Sequence, residues 1–118
     1  MSLENKIKYA VPVVNGKLSM HFGHCEHFAI IEYDTENKKI ISRADHTPPP
    51  HEPGVLPRWL HEMGANIIIA GGMGNRAQML FNQNGIKVVT GAMETDPEKL
   101  VTDYAGGVLE TGDNMCSH

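Results

Sequence analysis

The densest group of reactive side chains is Met20-His21-Phe22-Gly23-His24-Cys25-Glu26-His27, in which His21, His24, Cys25 and His27 fall within seven residues. Imidazole and thiolate are intermediate-to-soft donors, suited to zinc, copper, iron or metal–sulfide clusters rather than to magnesium or calcium. Gly23 lets the backbone turn tightly enough for neighbouring donors to converge. The spacing matches no zinc-finger signature, and the same residues also fit a polar surface turn in which one histidine caps a strand end. A further donor pair stands in Cys116-Ser117-His118 at the end of the chain. Cys116 and His118 could fold over a site begun by His21 and Cys25, or lie idle on a loosely held terminus.

Gly71-Gly72-Met73-Gly74-Asn75-Arg76-Ala77 is the other candidate. Glycines between a buried strand and a helix allow a ligand close to backbone N–H groups, and a helix N-terminus favours anions. Arg76 adds a positive side chain. The glycine spacing is neither that of a dinucleotide fingerprint nor that of a P-loop, and the segment also reads as a plain tight turn. His46 and His51 flank a triple proline and could reach a ligand held by the first group, although solvated loop histidines are more common. His61 falls on the polar side of its helix, and Trp59 reads as a core anchor. No nucleophile–base pair is evident, and Glu32 and Asp34 share a strand face without a third acid placed for two-metal chemistry. The chain reads as a holder of something rather than a converter.

These residues need elements to position them. Ile7, Tyr9, Val11 and Val13 alternate onto one face of a strand, with Pro12 arguing for a strand end or edge and Asn15-Gly16 for a tight turn. A second strand spans about Phe28 to Asp34, with Phe28 and Ile30 on one face and Ala29, Ile31 and Tyr33 on the other. Thr35-Glu36-Asn37-Lys38 connects it to an antiparallel third strand near Lys39–Ala44. Four prolines make the stretch from Asp45 to Pro53 a stiff loop. Val55, Leu56, Trp59, Leu60 and Met63 then share a helix face that Gly64 ends. Asn66 to Ala70 is a strand buried on both sides, and the helix after the glycine turn carries Ala77, Leu80 and Phe81 up to Asn84-Gly85. Ile86 to Val89 forms the last strand. Thr95 or Asp96 caps a final helix with Pro97 in its first turn and Glu98 placed for a capping box, and Gly106-Gly107 stops it.

The resulting order β-β-β-α-β-α-β-α predicts an α/β layered domain with a mixed five-stranded sheet flanked by helices. Residues 1–107 are expected to form one domain and residues 108–118 a flexible C-terminal tail. In such sheets ligands gather beyond the carboxyl ends of the strands. The 118 residues leave room for a single core, and 41% hydrophobic with 20% charged residues suits a soluble domain. No run is long enough to span a membrane, and the first residues lack the features of a secretory signal, so the expected location is cytoplasmic. Ten Lys and Arg against fourteen Asp and Glu give a formal charge of -4, which disfavours nucleic acid as a partner. Two cysteines are too few for a disulfide framework and are expected to stay thiols. Seven His and seven Met in so short a chain make metal donors abundant.

His21-Phe22-Gly23-His24-Cys25 before a strand, Gly71-Gly72-Met73-Gly74-Asn75-Arg76-Ala77 after one, and a terminal Cys-x-His together resemble the dinitrogenase iron–molybdenum cofactor biosynthesis family. That family includes NifX-like and NafY-like accessory proteins, the carboxyl-terminal domain of NifB, and the orange-protein group, which the Pro-Pro-Pro-His-Glu-Pro-Gly segment most resembles. The likeness runs from about Ile7 to Tyr104. It implies a ribonuclease H-like fold without nuclease chemistry, and binding of preformed iron–sulfur or molybdenum-containing clusters for transfer between donor and recipient proteins; copper is a further option on donor chemistry alone. His21 is the cluster ligand the resemblance carries over, whereas His24, Cys25 and His27 rest on donor chemistry. Backbone N–H groups of Gly72 to Asn75 would stabilise the cluster's negative charge, with Cys25 or Met73 assisting His21. A zinc hydrolase built on the histidine loop and a partner-binding regulatory module remain the competing readings.

Overall fold

The computed structural model describes residues 6–19, 26–50 and 54–109. Alternating apolar residues make Lys6–Val14 (β1) a strand with two buried faces. Asn15 and Gly16 both adopt positive φ, the requirement of a tight hairpin turn, and send the chain back as Lys17–Leu18 (β2). His27–Asp34 (β3) pairs antiparallel with β1 over its whole length, and Lys39–His46 (β4) pairs antiparallel with β3. Val55–Glu62 (α1), Ile67–Ile69 (β5), Asn75–Gln83 (α2), Lys87–Val89 (β6) and Pro97–Ala105 (α3) complete the chain. The main sheet order is β4-β3-β1-β5-β6, with β2 attached to β1. β5 runs parallel to β1, and β6 parallel to β5.

The α/β class and both faces of the sheet agree with the alternation read from the sequence. Tyr9, Val11, Ala29, Ile31 and Ile69 form one core cluster with Leu100 and Val101 of α3. Ala10, Phe28, Ile30 and Ile68 form the other with Leu56 and Leu60 of α1 and Phe81 of α2. Three local expectations need correction. Among the described residues the sheet has six strands rather than five, because β2 is only two residues long and carries no periodicity of its own. Strand β4 continues to His46, two residues beyond Ala44, where Asp45 still pairs with Ala29 and its carboxylate holds Arg43 at 2.9 Å. Pro12 does not end its strand. It lies in a central strand, past the Tyr9 and Ala10 pairing with β5, where its carbonyl accepts the Ser19 N–H at 2.8 Å and no donor is required of it.

Helix α3 is capped by Asp96, whose carboxylate accepts the Glu98 N–H at 3.1 Å. Glu98 does not close a capping box. Its carboxylate meets Arg43 at 3.2 Å, and Glu94 instead accepts the Thr95 and Asp96 N–H groups, each at 3.0 Å. Glycines end the helices as expected: Gly64, Gly85 and Gly107 take positive φ after α1, α2 and α3. Of the expected tail, Val108 donates its N–H to Asp103 and Leu109 packs against the first cluster, while residues 110–118 lie outside the described residues.

Candidate functional site

Because β1, β5 and β6 are parallel, their carboxyl ends share one end of the sheet, and the antiparallel pairing brings the start of β3 there too. His27 opens β3 opposite Val13, half-buried, and His46 closes β4 opposite Phe28. The segment that contains His21, His24 and Cys25 lies outside the described residues, as do His51, Cys116 and His118. Its flanks are held at this same end: Ser19 donates to Pro12, Glu26 donates its N–H to Val13 at 2.9 Å, and Glu26 Oε1 accepts the Asn15 N–H at 3.2 Å. His61 is exposed on α1, as its helix face predicts.

The glycine turn follows β5 at the same end, on the other side of β1. Gly71 accepts the Gly91 N–H at 2.9 Å, which ties the turn to the loop after β6. Gly71 and Gly72 are buried, whereas Asn75 and Arg76 are exposed. Met73 is 1% exposed and belongs to the second core cluster. Its carbonyl accepts from Gln78 Nε2 at 2.8 Å, which fixes the turn against the first turn of α2.

The helix termini at this end differ in charge. α3 fills its own N-terminus with the carboxylates of Asp96 and Glu94. α1 and α2, packed together on the opposite face, begin at Gly54 and Gly74 with no side-chain cap and no acidic residue in the first turn. Among the described residues, no carboxylate meets the orphan N–H groups and positive dipole ends of these two helices, which lie on one face beside Arg76. The sequence shows the α2 turn. It does not show that α1 opens at the same end, although Gly54 followed by a first turn without acids is the local signal. Among the described residues, no three His, Cys, Asp or Glu side chains converge as a metal-holding group.

The model of the dinitrogenase iron–molybdenum cofactor family matches residues 5–107. The chain belongs to this family. An uncharacterized protein of Methanocaldococcus jannaschii is 33% identical over 107 residues, covering 88% of this chain and 90% of its own. The crystal structure of PH0822 superposes with a TM-score of 0.79 at 27% identity, over 90% of this chain and 96% of that one. The apo form of the orange protein from Desulfovibrio gigas shares the fold, with a TM-score of 0.70 at 18% identity over 91% and 93% of the two chains. Family membership connects this chain with the biosynthesis or binding of iron–molybdenum cofactor. Among the described residues no helix is long and apolar enough to cross a membrane.

Proposed function

We propose that the chain is a non-catalytic, cytoplasmic carrier that binds an anionic molybdenum- and/or iron-containing sulfide cluster, with copper as a further metal, and passes it from a donor to a recipient protein during cofactor assembly. The cluster is cargo. The observation that carries this reading is the contrast between helix termini at the carboxyl end of the sheet: among the described residues α1 and α2 have no carboxylate in the first turn or at the cap, and α3 has both. An anion is therefore stabilised on the α1/α2 face by backbone N–H groups of Gly71 to Asn75 and by Arg76. His21, with Cys25 assisting, supplies one or two direct metal bonds from the segment entering β3, and His24, His27, Cys116 and His118 are the further donors from which a bond can be drawn. Few direct bonds suit a carrier, because transfer requires release and most of the affinity then comes from reversible electrostatics. The ribonuclease H-like description of the layers belongs to the same proposal, supported by an antiparallel β-meander followed by parallel βα units.

Anaerobic purification, elemental analysis and visible spectra before and after adding thiomolybdate or an iron–sulfur cluster test the proposal. Stoichiometric metal with sulfide-to-metal charge-transfer bands is the expected result. Arg76→Glu reverses an exposed charge beside the turn and should weaken cluster binding roughly tenfold without loss of stability. Substituting His21 and Cys25 together should abolish the bands. A colourless protein that takes up only zinc, or no metal, would sink the carrier.

A further inference from the structure

The opposite end of the sheet holds a feature that the carrier reading does not use. A cleft of about 500 Å³ opens between the first residues of β1, the turn after β3 and the last turn of α3. Its walls include Ile7, Tyr9, Tyr33, Ile67 and Tyr104, and Lys38 is the charged side chain on its lining. That volume and mixture, mostly apolar with a few polar groups, match those of small-molecule sites.

The tyrosines come from three separate parts of the chain and meet edge to face. Tyr9 stands 6.4 Å from Tyr33 and 6.0 Å from Tyr104 between ring centroids. Tyr104 is engaged by Lys87, whose ammonium lies 5.7 Å from the ring centre. Tyr9 and Tyr33 are different. They are 1% and 5% exposed, and among the described residues neither hydroxyl has a hydrogen-bond partner. No side-chain nitrogen or oxygen among those residues is both sealed from solvent and unpartnered. The two hydroxyls therefore keep a small access to water, and both residues line the cleft.

A phenol in a core wall needs a polar partner at its one point of access, a requirement that phenylalanine in the same space would not have. Burial together with Tyr104 and Tyr33 pushes the Tyr9 phenol up to about 12, so it stays a protonated donor at any ordinary pH. Lys38 is held at φ +57°, a conformation that glycine or asparagine adopts more easily. What lysine adds there is an ammonium on the cleft, and it makes no ion pair among the described residues.

We infer that this cleft is a second binding site, for a small organic anion with a flat apolar body, whose carboxylate accepts from Tyr9 and Tyr33 and faces Lys38 while its body packs against Ile7, Ile67 and Tyr104. Aromatic faces and edges favour a planar body over a branched one. The lysine selects an anion over a cation of the same shape.

An amide NMR titration of the full chain with naphthoate and benzoate tests this. Saturable shifts at millimolar concentrations are expected at residues around the cleft, with naphthoate tighter because its body is larger. Tyr9→Phe should keep the fold and weaken naphthoate about tenfold, the loss expected for one charge-assisted hydrogen bond, and Lys38→Gln should weaken it similarly. Arg76→Glu, at the far end of the sheet, should leave it unchanged, which separates this site from the cluster proposal. Absence of saturation, equal binding by Tyr9→Phe, or benzylammonium binding as tightly as benzoate would each overturn the inference.

Discussion

The two ends of the sheet are built from different materials. At the carboxyl end, the described residues present loops, buried glycines and the uncapped N-termini of α1 and α2, so backbone N–H groups stand out among its donors. At the amino end, three phenol rings project from regular elements into a cleft, so its polar groups are side chains fixed by strand alternation. Backbone donors carry no shape of their own and suit a large anion whose bonds must later be released. Rings and hydroxyls on strands are held in place before any ligand arrives, and suit recognition of one small shape. One sheet thus offers a charge-selecting end and a shape-selecting end, connected through β1.

The largest effect that should separate the two ends comes from Phe28→Ala. Phe28 is fully buried next to His27 and packs edge to face with Trp59 at 5.8 Å. The substitution should cost about 3–5 kcal/mol in urea unfolding. In the fraction that remains folded, cluster uptake should fall while naphthoate binding persists, since Phe28 lies on the face away from the tyrosines. Loss of naphthoate binding in that fraction would mean the ends are not independent.

Asp96→Ala should cost about 1 kcal/mol through loss of the α3 cap, measured by thermal unfolding. It removes a carboxylate from the carboxyl end, so cluster affinity should hold or rise. A fall would argue that α3 rather than α1 and α2 receives the anion.

The smallest effect lies at the amino end. Two hydrogen bonds from Asn37, with help from the Glu36 N–H and Lys39, hold the Asp34 carboxyl below its usual value. A carboxylate depressed in the folded state contributes stability that is complete above its unfolded value and is lost as pH falls through its folded one. Urea midpoints of the native chain should therefore drop on acidification below about pH 4 more than those of Asp34→Ala. Equal slopes would remove Asp34 from the account of this hairpin.

Much of the fold was legible because it rests on local rules. Alternation in Ile7 to Val13 and Phe28 to Asp34 assigned residues to the two faces, and Asp96-Pro97 marked the start of α3. The turn signal at Asn15-Gly16 was visible, but the two residues of β2 were too few to show a period. Glu98 had the spacing of a capping box, yet Arg43 on a distant strand offered it an ion pair and Glu94 took its place at the cap. Met73 read as a possible soft donor beside the glycines, and the fold buries it in the second core cluster. For the candidate site, the glycine turn and His27 could be placed from sequence, since each adjoins a strong strand signal. The tyrosine cleft could not, because its rings are brought together by sheet pairing and helix docking that no local pattern encodes.

By itself the sequence determined the element types, the faces of the strands, the supply of soft metal donors and the motifs that carry the family. These follow from steric preference, side-chain alternation and chemistry within a few residues. Only the tertiary structure decided that the start of β3, the glycine turn and the free ends of α1 and α2 share one end of the sheet, and that Tyr9, Tyr33 and Tyr104 close on a cleft at the other. Strand order and helix docking are selected by burying two apolar faces at once, a property of the whole chain rather than of any segment.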